Sequence, residues 1–162
     1  MHWTMTVKDR ETGWLDPLFH ARFREVMLHM LIRYRLTCPV YCLMPEHVHL
    51  LWMGVAQASD QLNAIRLFRR ILNMVLRPLE FQKQPFDHVL REKERERGAF
   101  ASVAFYILEN PVRKALVAAP SEYPFCGCVV PGYPVMDVFG AEFWETFWRI
   151  HERASRVVSA AS

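Results

Sequence analysis

Two histidines separated by one residue, His47 and His49, are the side chains of this sequence best suited to carry chemistry. In a β-strand, residues two apart point to the same face, so both imidazoles can reach one metal ion. Tyr106 and Asn110 form a second pair, four residues apart, which on a helix lie on one face. Two imidazole ligands, an amide oxygen and a phenol nucleophile together suit metal-assisted attack on a phosphodiester.

Each of these residues also has a purely structural interpretation. The histidine pair is compatible with two ordinary polar side chains on a strand, and Tyr106 with a core aromatic, since its neighbours in sequence are apolar. Asn110 precedes a proline and is also typical of a helix end. Two other metal families are excluded, because a metallo-β-lactamase site needs an acid where this chain has Leu51, and an amidohydrolase barrel needs about 250 residues.

The composition indicates one domain. The chain has 162 residues, of which 52% are hydrophobic, enough to bury a core. A formal charge of +3 permits a nucleic-acid partner without demanding one. No apolar run of about 18 residues and no signal-peptide pattern is present, so we expect a cytoplasmic protein without a membrane span. The spacing of the four cysteines favours reduced thiols over a zinc site.

Apolar periodicity predicts strands and helices that alternate along the chain. Strands are predicted over residues 2–8, 39–44, 47–55 and 86–91, and helices over 17–35, 60–80, 98–109 and 141–157. The helix at 98–109 should end there because proline at position 111 disfavours helical geometry at Asn110. The segment from about 120 to 134, rich in proline and glycine, is predicted to be irregular. This order predicts an α+β fold in which helices pack on a mostly antiparallel sheet.

Two segments resemble a known family. Residues 41–51, YCLMPEHVHLL, resemble the hairpin of the HUH single-strand DNA transposases, whose signature is histidine, bulky hydrophobe, histidine. Residues 106–117, YILENPVRKALV, resemble the catalytic helix of the branch called REP-associated tyrosine transposases. Residues 86–91 and 122–125 also match that branch in order and spacing. The resemblance covers about residues 2–126 of the chain.

The resemblance implies a ferredoxin-like fold and a divalent metal, Mg²⁺ or Mn²⁺, held by His47, His49 and Asn110. It implies that Tyr106 attacks the scissile phosphate of single-stranded DNA with hairpin structure, giving a 5′-phosphotyrosine link and a free 3′-hydroxyl. It also favours a monomer over a homodimer. The chain departs from the family at Glu46, since the family commonly has asparagine or aspartate at this position. Its carboxylate could add a ligand, contact a ligand, or only shape the turn.

Basic side chains supply candidate DNA contacts. Arg66, Arg69 and Arg70 share one side of a predicted helix, and with Arg113 and Lys114 they could neutralise phosphates, although a solvated helix face explains them equally well. A phenol is mostly protonated at neutral pH, so the metal or a nearby cation has to assist loss of its proton. Two other functions stay open: a hairpin-binding protein without cleavage, and a metal-dependent hydrolase that uses water.

Overall fold

The structure is a computed structural model that describes residues 1–83, 86–88 and 97–160, with side chains for 1–83 and 100–158. Five strands form one antiparallel sheet: β1 (His2–Thr6), β2 (Leu36–Met44), β3 (His47–Gly54), β4 (Phe86–His88) and β5 (Cys126–Val129). The helices are α1 (Pro17–Arg33), α2 (Gln61–Val75), α3 (Arg97–Leu108), α4 (Asn110–Arg113) and α5 (Phe143–Ala160). Within the described residues, short 3₁₀ turns lie at Lys8–Arg10 and Pro120–Glu122.

The sheet order β4-β1-β3-β2-β5 confirms the predicted fold class. The first six elements run β1-α1-β2-β3-α2-β4, and their strands are ordered β4-β1-β3-β2, which is the ferredoxin-like arrangement. The hairpin β2–β3 is central, as its apolar sequence predicts, and every residue of β2 is buried. Strand β5 and helices α3, α4 and α5 are additions to this core.

Local capping explains where the first two long helices begin. The side chain of Asp16 accepts a hydrogen bond from the backbone N–H of Phe19 at 2.7 Å, and Pro17 occupies the first helical position. Asp60 caps α2 in the same way through the N–H of Asn63 at 2.9 Å. Helix α2 ends at Val75 instead of the predicted position 80, since Pro78 cannot continue it.

Two sequence-based predictions are wrong in part. The segment predicted to be irregular contains β5, a four-residue strand with no alternating pattern that forms because it pairs with the open edge of β2. Helix α3 ends at Leu108 as expected, but Asn110 then begins the short helix α4 instead of leaving helical geometry. Pro111 is tolerated there because the first positions of a helix need no internal N–H bond. The predicted edge strand is observed over Phe86–His88, and its residues 89–91 lie outside the described residues.

Two apolar layers enclose the sheet. One face packs against α1 and α2 through side chains that include Trp3, Met5, Val48 and Leu50. The other face packs against α3 and α5 through side chains that include Val40, Cys42, Met44 and Leu51. The aromatic side chains of α5 also belong to this second layer, and Phe143 and Phe147 are buried in it.

All four thiols are free, and Cys38, Cys42 and Cys128 are buried. Within the described part of the chain, no helix combines the length and the apolar character that a membrane span requires.

Candidate active site

The two histidines of β3 share the sheet face covered by α3 and α5. They alternate with Val48 and Leu50, whose side chains pack in the opposite layer, so His47 and His49 must project to the other side. On the neighbouring strand β1, Thr6 lies directly opposite His47 and Thr4 directly opposite His49. The shared face that the sequence predicts for the two imidazoles is therefore observed.

The imidazoles meet edge to edge through one nitrogen of each ring. The Nε2 atoms of His47 and His49 are 3.0 Å apart, and the ring planes are nearly perpendicular. Two nitrogens each about 2.1 Å from an octahedral ion, at about 90°, would also be about 3.0 Å apart. The pair therefore fits two adjacent ligand positions of one divalent cation, and imidazole ligands suit Mn²⁺ better than Mg²⁺.

The other nitrogen of His49 is occupied by residues of β1. Its Nδ1 lies 3.2 Å from the hydroxyl of Thr4 and 3.1 Å from Nε2 of His2. Since His2 contacts the ring edge opposite His47, it cannot join His47 around one ion. Across residues 1–83, 86–88 and 97–160, no group of three or more His, Cys, Asp or Glu side chains is arranged to hold a metal. Among these residues, the histidine pair is therefore not joined by a third side chain of these four types.

Glu46 contacts the outer edge of His47. Its Oε1 accepts a hydrogen bond from Nη1 of Arg10 at 2.8 Å and lies 3.6 Å from Nδ1 of His47, at ion-pair distance. The carboxylate thus touches the ring at the nitrogen that faces away from His49. Of the three roles that the sequence left open for Glu46, the structure shows contact with a candidate ligand.

Burial keeps both imidazoles neutral. Burial, together with the smaller effects of the neighbouring His47 and His2 rings, lowers the pKa of His49 to about 3. Burial also lowers the pKa of His47, where Glu46 opposes the effect and the charges of Arg10 and Lys114 add to it. Neutral imidazole is the form that binds metal, so both side chains are in the ligand state at neutral pH.

Tyr106 lies on α3, which covers the same face, and Asn110 begins α4 directly after it. Tyr106 is 47% exposed, which rules out the core-aromatic interpretation, and the guanidinium of Arg113 stacks 4.7 Å above its ring. The side-chain nitrogen of Asn110 donates to the carbonyls of Tyr106 at 2.9 Å and Ile107 at 3.2 Å. This amide nitrogen therefore satisfies the end of α3, and the amide oxygen remains as an acceptor.

The structure shows no direct contact between these two residues and the histidines. All four are described, yet no hydrogen bond, ring contact or ion pair joins Tyr106 or Asn110 to either imidazole. Lys114 connects the histidine hairpin with the segment that carries Tyr106 and Asn110. It lines a pocket of about 200 Å³ together with Glu46 and His47. The segment after α4 therefore lies beside the histidine hairpin.

The five predicted DNA contacts are divided between the two faces of the sheet. Arg113 and Lys114 are exposed beside Tyr106 and His47, respectively. Arg66, Arg69 and Arg70 belong to α2, which packs on the opposite face. Arg66 and Arg70 are exposed, whereas Nη1 of Arg69 donates to the carbonyl of Gln82 at 3.2 Å. The structure does not bring the arginines of α2 to the candidate site.

Sequence reasoning missed the contacts of β1 and of the turn before α1. His2 and Thr4 reach His49, and Arg10 reaches Glu46. One available signal was the alternation along β1, which places His2, Thr4 and Thr6 on the polar face of a half-buried strand. That pattern does not give the register of β1 against β3, and the register determines which residue each of these side chains meets.

Comparisons with known proteins bear on the fold. No protein-family model and no curated protein matches this sequence. A solved structure, a REP-associated tyrosine transposase bound to a REP hairpin, is similar with a TM-score of 0.65 and 19% sequence identity. The match covers 77% of this chain and 73% of that chain. This chain therefore has the fold of a REP-associated tyrosine transposase.

Proposed function

We propose that this protein is a single-stranded DNA endonuclease and strand transferase of the REP-associated tyrosine transposase type. The observation that carries the proposal is the pair of Nε2 atoms 3.0 Å apart, on the sheet face over which the helix of Tyr106 packs. The shared fold and the two sequence motifs, which occur in the family's order, support the same assignment. The similar transposase binds a REP hairpin, and we propose hairpin-containing single-stranded DNA as the partner here, bound by a monomer.

The proposed metal ligands are His47, His49 and the side-chain oxygen of Asn110. The two imidazoles are neutral and adjacent, and the amide oxygen would complete a mixed nitrogen and oxygen set that suits Mn²⁺ or Mg²⁺. When bound, such a cation withdraws charge from the nonbridging oxygens of the scissile phosphate. Because a phosphodiester must lie between the phenol and the imidazoles, the proposal needs no direct contact between them.

Tyr106 is the proposed nucleophile. Its oxygen forms a bond to phosphorus while the bond from phosphorus to the 3′-oxygen breaks, and the leaving oxygen takes up a proton as a 3′-hydroxyl. The phenolic proton passes to water, since the side chain is 47% exposed. One phosphodiester replaces another, so attack by a 3′-hydroxyl can reverse the step and join strands without ATP.

Two cations next to these groups suit the DNA backbone. Arg113 stacks on the ring of Tyr106 and has donors left for a phosphate, so it can orient the nucleophile and hold the strand. Lys114 lies beside His47, where it can contact the strand on the metal side. The arginines of α2 are on the opposite face, and contact with a longer DNA stays a prediction for them.

A cleavage assay with end-labelled hairpin DNA tests the proposal. With Mn²⁺ or Mg²⁺, a label at the 3′ end should remain attached to the protein on a denaturing gel. A label at the 5′ end should be released on a shorter strand that a polymerase can extend. Tyr106→Phe should abolish the adduct and retain DNA binding. Tyr34→Phe is a matched control, because Tyr34 also lies under an arginine, Arg33 at 5.7 Å, at the end of α1.

The same gel separates the other functions. Cleavage of the strand without a protein adduct would indicate a hydrolase that uses water. Retention of the hairpin without cleavage would indicate a binding protein. An adduct that persists in Tyr106→Phe would place the nucleophile elsewhere.

A further inference from the structure

We propose that Thr4 and His2 are positioning residues that hold His49 with its proton on Nδ1, so that Nε2 presents its lone pair beside Nε2 of His47. The two side chains are called the β1 clamp below. The inference rests on the proposed function, because it concerns how one of the metal ligands is prepared.

The clamp acts on a single nitrogen. Thr4 lies opposite His49 in the β1–β3 ladder, and its hydroxyl is 3.2 Å from Nδ1, while Nε2 of His2 is 3.1 Å from the same atom. A neutral imidazole carries its proton on one nitrogen and a lone pair on the other. If Nδ1 donates to the clamp, Nε2 is left as the acceptor, which is the state that a metal requires.

The two candidate ligands are held from different elements. His49 is 8% exposed and is held by β1, whereas Nδ1 of His47 faces Glu46 in the turn between β2 and β3. In both rings Nδ1 faces a residue other than the second histidine, and the two Nε2 atoms face each other at hydrogen-bond distance. The contacts of His49 with β1 and of His47 with Glu46 are independent, yet both orient an Nε2 atom toward the same point. Two imidazoles that met only by chance would not need such contacts.

Thr6 provides a matched control on the same strand. It lies opposite His47 in the ladder, on the face of Thr4, but within the described part of the chain its hydroxyl makes no hydrogen bond to a histidine. Thr6→Val therefore removes a hydroxyl as Thr4→Val does, but opposite His47 instead of His49. It leaves both residues of the β1 clamp in place. Thr4→Ser keeps the hydroxyl and should retain the wild-type position of the His49 proton and the wild-type affinity for Mn²⁺.

Two measurements on the protein without DNA test the clamp. Histidine ¹⁵N–¹H correlation NMR at pH 7.5 reads which nitrogen of His49 carries the proton, in metal-free protein. Titration with Mn²⁺ alone gives the dissociation constant. The wild type should show the proton on Nδ1, and the double variant Thr4→Val with His2→Phe should lose this preference. Its dissociation constant should rise about 10- to 100-fold, as for other residues that hold metal ligands. Thermal unfolding shows that the compared variants are folded.

The outcomes are distinct. The inference would be overturned if the double variant kept the NMR signals and the Mn²⁺ affinity of the wild type. It would also be overturned if Thr6→Val lost as much Mn²⁺ affinity as the double variant. A proton on Nε2 of His49 in the wild type would overturn it as well. If the wild type binds no Mn²⁺, the metal role in the proposed function fails, and the NMR measurement on metal-free protein still decides the clamp. If the clamp is confirmed and no DNA adduct forms, only the proposed function fails.

Discussion

Lowering the pH from 7.5 to 5.0 should weaken Mn²⁺ binding far less than it would at an ordinary pair of histidines. Protons and the cation compete for the same imidazole nitrogens, so affinity falls once the pH drops below the pKa of the ligands. Here burial lowers the pKa of His49 to about 3 and also lowers that of His47. Both rings therefore stay neutral at pH values where an ordinary imidazole is charged.

The expected difference is large. With the ordinary imidazole pKa of about 6.5, each histidine would reduce the affinity about 30-fold at pH 5.0, and two would reduce it about 1000-fold. His49, with its pKa lowered to about 3, should reduce it almost not at all. The lowered pKa of His47 gives a reduction smaller than that of one ordinary histidine, so the whole loss should stay below about 30-fold.

The same shift has a cost in stability at low pH. The unfolded chain binds a proton at His49 below about pH 6.5, while the folded chain does not until near pH 3. The contribution of His49 to stability is thus complete above pH 6.5 and is lost as the pH falls, by about 2 kcal/mol at pH 5.0. Circular dichroism must show that the protein is folded at each pH used.

Electron paramagnetic resonance of free Mn²⁺ gives the dissociation constant at pH 7.5, 6.0 and 5.0. His29→Gln is a suitable control, because His29 is exposed on α1 and its removal should leave the profile unchanged. A loss near 1000-fold in folded protein would refute the reasoning, since it would show that both ligands titrate as ordinary imidazoles.

Three further results are expected. Phe147→Ala should lower the free energy of unfolding in urea by about 3–5 kcal/mol, because the ring of Phe147 is fully buried in the layer of α5. Phe105→Ala is the control and should change it by less than about 0.5 kcal/mol, because the side chain of Phe105 is 65% exposed. Gly127→Ala should cost about 1–3 kcal/mol in the same assay, since a methyl group there would lie 2.9 Å from the hydroxyl of Tyr41. Arg113→Ala should lower the salt dependence of single-strand binding by about 0.7 in log–log slope, and an unchanged slope would exclude a phosphate contact.

Local signals in the sequence were sufficient to predict where the first two long helices begin and which strand is central. Asp16 followed by Pro17 marks the start of α1, and Asp60 marks the start of α2, because a helix start depends on a few neighbouring residues. The continuous apolar run of β2 predicts a central strand for the same reason, since both of its faces are buried. The shared face of His47 and His49 follows directly from the period of a strand.

The sequence did not reveal features that depend on distant pairing. Strand β5 has no pattern of its own and exists because β2 offers an open edge. Likewise, the arginines of α2 appeared to belong with Arg113 and Lys114, but α2 packs on the other face of the sheet. Basic residues of two helices can be assigned to one surface only when the packing of both helices is known.

The geometry of the candidate site is determined by apolar residues that are fully buried in the core. If β3 slipped by one residue, His47 and His49 would turn into the layer of α1 and α2, and Val48 and Leu50 would turn out of it. Burying each of those aliphatic side chains is worth about 1.5–3 kcal/mol, so the correct register is strongly favoured. The same register places Thr4 opposite His49. The hydrophobic core thereby determines which polar residue of β1 lies opposite each imidazole.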